Sequence, residues 1–114
     1  MKKPPLDLED ALPRVDGDKA FLASLLELFE EDYAERAASL ANALARGDLG
    51  AVSRLGHAIK GASANLGLPF LRECASNLET SAKSGDAEAA ITGFSSLERE
   101  FRKLKEYLKN HPLK

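Results

Sequence analysis

The dipeptide Gly-Asp recurs at positions 17–18, 47–48 and 85–86, and each copy separates long stretches whose apolar residues return every three or four positions. Glycine ends a helix because it enters the left-handed conformation without strain. Aspartate opens the next by accepting hydrogen bonds from the first unpaired backbone N–H groups. A fourth boundary has different chemistry: Gly67 is followed by Leu68 and Pro69, with proline in a first turn where its missing N–H is harmless. These marks predict four long helices, at about 18–45, 49–66, 69–84 and 87–109, preceded by a short acidic helix near 7–12. Nothing in the pattern asks for a strand.

The first long helix carries Phe21, Leu22, Leu25, Leu28, Phe29, Ala37, Leu40 and Leu44 at spacings that form one apolar face. The last carries Ile91, Phe94, Leu97, Phe101, Leu104 and Leu108 before His111-Pro112 stops it. Helices joined by such short connections run antiparallel to their sequence neighbours. The expected fold is therefore all-α, an antiparallel up-down-up-down four-helix bundle packed at about 20°, with a short additional N-terminal helix. A flexible N-terminal arm is expected over residues 1–5, the bundle over 6–110 and a C-terminal tail over 111–114.

A chain of 114 residues is one domain, long enough for a single core. A net charge of −2 with acidic and basic groups mixed provides no basic footprint, so nucleic acid is not an expected partner. No apolar run approaches the ~20 residues of a membrane span. Met1-Lys2-Lys3-Pro4-Pro5 leads into an acidic segment rather than a signal-peptide core, so the chain is read as cytoplasmic and not membrane-bound. The lone Cys74 excludes an internal disulfide, and its apolar helical neighbours predict a buried thiol in a reducing compartment.

The second long helix carries the chemistry. At about 100° per residue, Leu49, Val52, Leu55, Ile59, Ala62 and Leu66 gather into one stripe, and His57 falls roughly opposite it. Lys60 and Gly61 lie one turn further along the same outward side. Ser53, Arg54 and Ala64 complete a patch that is small in bulk and positive in charge, suited to an anion held at the ring. Glycine costs about 1 kcal/mol relative to alanine in a helix interior, so Gly61 asks for a reason. Without a Cβ, the surface leaves room beside the ring for a bulky group and the molecule delivering it. Gly56, nearer the core side, is expected to serve close helix packing. The positions a metal would need around His57 hold Ser53, Arg54, Lys60 and Gly61, which argues against a metal centre. His111 ends a helix, Arg46-Gly47-Asp48 marks a helix boundary, and no nucleotide-binding motif is present.

His57-Ala58-Ile59-Lys60-Gly61-Ala62-Ser63-Ala64-Asn65-Leu66-Gly67 resembles the phosphoacceptor signature of histidine-containing phosphotransfer (HPt) domains, His-x-x-Lys-Gly with a further glycine six residues later. Leu6-Asp7-Leu8 through Leu12-Pro13-Arg14, then Gly17-Asp18 and Phe21 to Phe29, resemble the family's lead-in, and the likeness runs over about residues 6–108. The resemblance implies a monomeric phosphoryl carrier rather than an enzyme, with His57 phosphorylated on an imidazole nitrogen and Lys60 offsetting phosphoryl charge. In some members, chemotaxis kinases included, a glutamate at the position of Glu79 accepts a hydrogen bond from the ring. Here that would fix the tautomer and leave the opposite nitrogen as nucleophile. Ser63 and Asn65 are expected to pack or cap. The implied partners are response-regulator receiver domains or a hybrid histidine kinase. No cofactor is expected in this chain, the Mg²⁺ of transfer belonging to the receiver's acidic pocket. A phosphorylation-independent signalling bundle and the HPt domain of a hybrid or chemotaxis-type kinase are the alternatives.

Overall fold

In a computed structural model that describes residues 3–113, the helices are α1 (Leu8–Ala11), which tightens into a 3₁₀ turn over Leu12–Val15, then α2 (Lys19–Arg46), α3 (Leu49–Asn65), α4 (Pro69–Lys83) and α5 (Ala87–Asn110). Residues 1, 2 and 114, part of the arm and tail expected at the two ends, lie outside the described residues. The boundaries follow from the chemistry of the Gly-Asp pairs. Gly17, Gly47 and Gly85 take positive φ, while Asp18, Asp48 and Asp86 turn their carboxylates onto the N–H groups of Phe21, Ala51 and Ala89 at 3.0, 3.1 and 3.0 Å. Each such cap is worth about 1 kcal/mol.

Gly67 makes the tightest junction. Its φ is +69°, and a Cβ there would lie 2.9 Å from the Asp7 carbonyl oxygen and 3.0 Å from the Ala11 Cβ. Its own carbonyl accepts the Asp7 N–H at 2.8 Å. The short N-terminal helix is thus clamped over the α3–α4 turn, with Leu6 buried beside it.

At about 1.5 Å per residue the 28 residues of α2 span about 42 Å, which is the 42 Å long axis of the molecule. Each long helix packs on its sequence neighbour and α5 closes back on α2, giving the expected antiparallel bundle. Among the described residues there is no strand, and no helix is long and apolar enough to cross a membrane.

The buried face of α2 keeps Leu22, Phe29 and Leu40 of the expected one but departs from it elsewhere. Leu22, Leu26, Phe29, Tyr33 and Leu40 point inward, whereas Phe21 and Leu28 are left 52% and 56% exposed. The two stripes are about a quarter turn apart, and α2 carries more apolar residues than one face holds. The deciding contact is remote in sequence. The Tyr33 ring stacks on Phe101 of α5 with centroids 3.8 Å apart, and its hydroxyl donates to Glu98 Oε2 at 2.7 Å. Burial and that carboxylate push the phenol's pKa well up. Ile91 is likewise exposed rather than part of the core. Cys74 is half-buried, not enclosed, and partial desolvation raises its thiol pKa.

Candidate functional site

The site forms where the backbone of α4 passes close against α3, and Gly56 is what lets it. A Cβ at Gly56 would meet the Ala75 carbonyl oxygen and the Glu79 N at 3.3 Å, both of them helix backbone. Val52, Gly56, Ile59 and Ser63 form the buried face of α3. Gly50, Arg54, His57, Gly61 and Asn65 form the exposed one. The His57 side chain is 67% exposed, as its place opposite the apolar stripe requires. Beside it, a Cβ on Gly61 would meet nothing within 4 Å. Ser63 is buried and closes the helix through its carbonyl, which accepts the Leu68 N–H at 2.9 Å. Asn65 ends α3 on the exposed face.

Lys60 departs from the expected outward direction. Its side chain is only 32% exposed and turns toward α4, where Nζ donates to Glu79 Oε1 at 2.6 Å. Glu79 itself is nearly enclosed, its side chain 7% exposed. Its second oxygen, Oε2, lies 3.0 Å from His57 Nδ1 and 3.1 Å from Lys83 Nζ. A carboxylate taken from water needs compensation, and this one has three donors. Hydrogen bonds from Lys60, then Lys83, then His57 outweigh the desolvation that opposes them, and hold Glu79 down at about 2 from an ordinary 4.5.

The consequence falls on the ring. An ionised carboxylate only accepts, so the proton across the 3.0 Å contact belongs to His57 Nδ1. In the neutral imidazole, Nε2 then carries the free lone pair. His57, Lys60 and Glu79 are thus brought together across two helices, with Gly61 open beside them. Lys83 was not singled out by sequence reasoning, although Glu79 followed four residues later by Lys83 is the favourable order for an ion pair on one helix face.

An all-helical bundle with an exposed histidine seated on a buried acid defines a recognisable class. The Hpt domain family model matches residues 24–110, and the chain belongs to that family. HPt proteins are phosphocarriers that work with receiver domains in phosphorelays, and this chain has a histidine phosphotransfer role of that kind. Among solved structures it is similar to the crystal structure of histidine-containing phosphotransfer protein B (HptB) from Pseudomonas aeruginosa PAO1. The TM-score is 0.86 at 31% identity, over 96% of this chain and 95% of that one. No curated protein matches the chain.

Proposed function

We propose that His57 takes a phosphoryl group from the aspartyl phosphate of one response-regulator receiver domain and passes it to the aspartate of another. The observation that carries this reading is the exposed ring whose Nδ1 rests on the ionised, nearly buried Glu79. The Nε2 lone pair attacks phosphorus, the N–P bond forms as the P–O bond to the receiver aspartate breaks, and that aspartate leaves as a carboxylate. Nδ1 keeps its proton throughout, so the phosphorylated ring becomes cationic and Glu79 stabilises it. The reverse step delivers the group onward. Such transfer needs mainly in-line positioning and stabilisation of oxygen charge. Lys60, which shares Glu79 with the ring at 2.6 Å, supplies a compact cation to offset phosphoryl charge.

On this reading the carrier has no nucleotide site or cofactor of its own, and Mg²⁺ sits in the receiver's acidic pocket. On the same reading it works as a cytoplasmic monomer. The receiver docks beside the ring on a shallow groove lined by Phe21, Leu25 and Leu28 of α2 and by Ala62, Asn65 and Leu66 of α3. This groove accounts for the exposed apolar residues of α2. It meets the His57 face at Asn65, which lies four residues after Gly61 on the exposed side of α3.

Incubation with a radiolabelled, phosphorylated receiver and Mg²⁺ tests the reading. One phosphoryl group per chain should appear, labile in acid and stable in base. His57→Gln should take up none while its stability changes by no more than about 0.5 kcal/mol. Uptake by His57→Gln at the rate of the unaltered protein would overturn the assignment.

A further inference from the structure

We infer that Lys83 is a positioning residue of the phosphotransfer site: it shares Glu79 Oε2 with the His57 Nδ1–H and so sets how strongly the carboxylate holds that proton. The inference rests on His57 being the nucleophile. Its basis is an asymmetry in the three contacts to Glu79. Lys60 has Oε1 to itself at 2.6 Å, whereas Lys83 at 3.1 Å and His57 at 3.0 Å converge on Oε2. Two donors on one oxygen divide its electron density, so a stronger claim by one weakens the other.

An ion pair between two exposed side chains would be worth little. Here one partner is a carboxylate with almost no water around it, so the other partner's charge is felt at the shared oxygen. The charged and titratable groups around the pair are Lys60 and His57 from α3 and Lys83 from α4 itself, while Arg54 of α3 turns its guanidinium toward Gly50. α5 meets α4 on another side, through Gly93 against Leu78. Lys60 and Lys83 therefore divide their work by atom. Both lysines help to keep the carboxylate ionised, Lys60 from the oxygen the ring does not use, while Lys83 also moderates the oxygen it does use.

Removing the Lys83 ammonium leaves Oε2 to the ring. The Nδ1–H is then held more strongly, the ring becomes more basic at Nε2, and its cationic form is favoured. Histidine titration followed by NMR in the unphosphorylated protein reads this directly. Lys83→Gln should raise the His57 midpoint by about half a pH unit or more, roughly threefold in protonation, and Lys83→Arg should restore most of it. In a Glu79→Gln background the same Lys83→Gln change should move nothing, because the route through Oε2 is gone.

An equal shift in both backgrounds, or no shift in either, overturns the inference. Should Glu79→Gln fold poorly, titration of Lys83→Gln at 1 M salt serves instead. With a Debye length of about 3 Å, a through-space field from an exposed lysine is screened out, whereas a hydrogen-bonded effect persists. Disappearance of the shift in salt then overturns the inference. These titrations need no phosphotransfer, so their failure is distinct from failure of His57 to take label.

Discussion

Past its first turn, α3 carries one glycine on its inner face, Gly56, and one on its outer face, Gly61, and the two are there for opposite reasons. On the inner face, the space a Cβ at Gly56 would take is already filled by the Ala75 carbonyl and the Glu79 backbone. On the outer face, the space beside Gly61 is empty. Each glycine forgoes about 1 kcal/mol of helix propensity relative to alanine. Packing with α4 offsets the loss at Gly56, and nothing structural offsets it at Gly61. The contrast also shows how the faces are linked. The backbone that presses on Gly56 belongs to Glu79, whose carboxylate reaches out to His57 and Lys60. Close packing on the inner face therefore places the acid under the ring on the outer face.

The sharpest way to break that link is Glu79→Gln. An amide presents either an acceptor or a donor to Nδ1, so the tautomer is no longer fixed and the cationic phospho-ring loses its counter-charge. Transfer through His57 should fall about tenfold or more, the equivalent of at least one unit of ring basicity. The same change should alter acid stability. Glu79 is depressed in the folded protein to about 2 from 4.5. It therefore contributes stability that is fully present above its ordinary value and lost as pH falls toward 2. Urea midpoints measured between pH 5 and 2 should decline less steeply in Glu79→Gln. Transfer at an unaltered rate would show that the outer face works without the acid beneath it.

Gly56→Ala tests the inner face. The added methyl meets helix backbone rather than a flexible side chain, so overpacking of about 1–3 kcal/mol exceeds the gain of about 1 kcal/mol in propensity. The expected net loss is about 1 kcal/mol, read from the melting transition. Displacing α4 should also lengthen the contact between Glu79 and His57, visible as a changed His57 titration. A more stable Gly56→Ala protein with an unaltered titration would mean that α4 gives way freely and that the glycine does not place the acid.

Much of this was legible in the sequence because the decisive interactions are local. Gly17-Asp18, Gly47-Asp48 and Gly85-Asp86 specify helix ends through groups three or four residues apart, so the four long helices fall close to their expected limits. The outward placement of His57 follows from periodicity in the same way. What was not legible depends on partners far along the chain. Phe21, Leu25 and Leu28 are as apolar as Leu22, Leu26 and Phe29, and the choice between the two stripes is made by Tyr33 meeting Phe101 and Glu98. The turn of Lys60 toward α4 depends on the approach that Gly56 allows. Glu79, 22 residues from His57, came from family resemblance rather than from spacing, and Lys83 emerged only once that carboxylate was located.

The smallest effect, and the one that most sharpens the contrast, is expected at Gly61. Alanine there raises helix propensity and meets no atom within 4 Å, so Gly61→Ala should be more stable by up to about 1 kcal/mol, opposite in sign to Gly56→Ala. Glutamine is also a better helix former than glycine, so Gly61→Gln should hold or gain stability as well. Its side chain, however, leans back toward the preceding turn, as helical side chains do, and that turn carries His57. It would fill the volume needed by the phosphoryl group and the approaching receiver aspartate. Transfer from a receiver should therefore fall slightly in Gly61→Ala and further in Gly61→Gln, with melting temperatures level or raised. Unaltered transfer in Gly61→Gln would mean that the glycine does not keep the site open. A drop in melting temperature in both variants would mean that the outer face of α3 is packed after all, and the two glycines would then share one explanation.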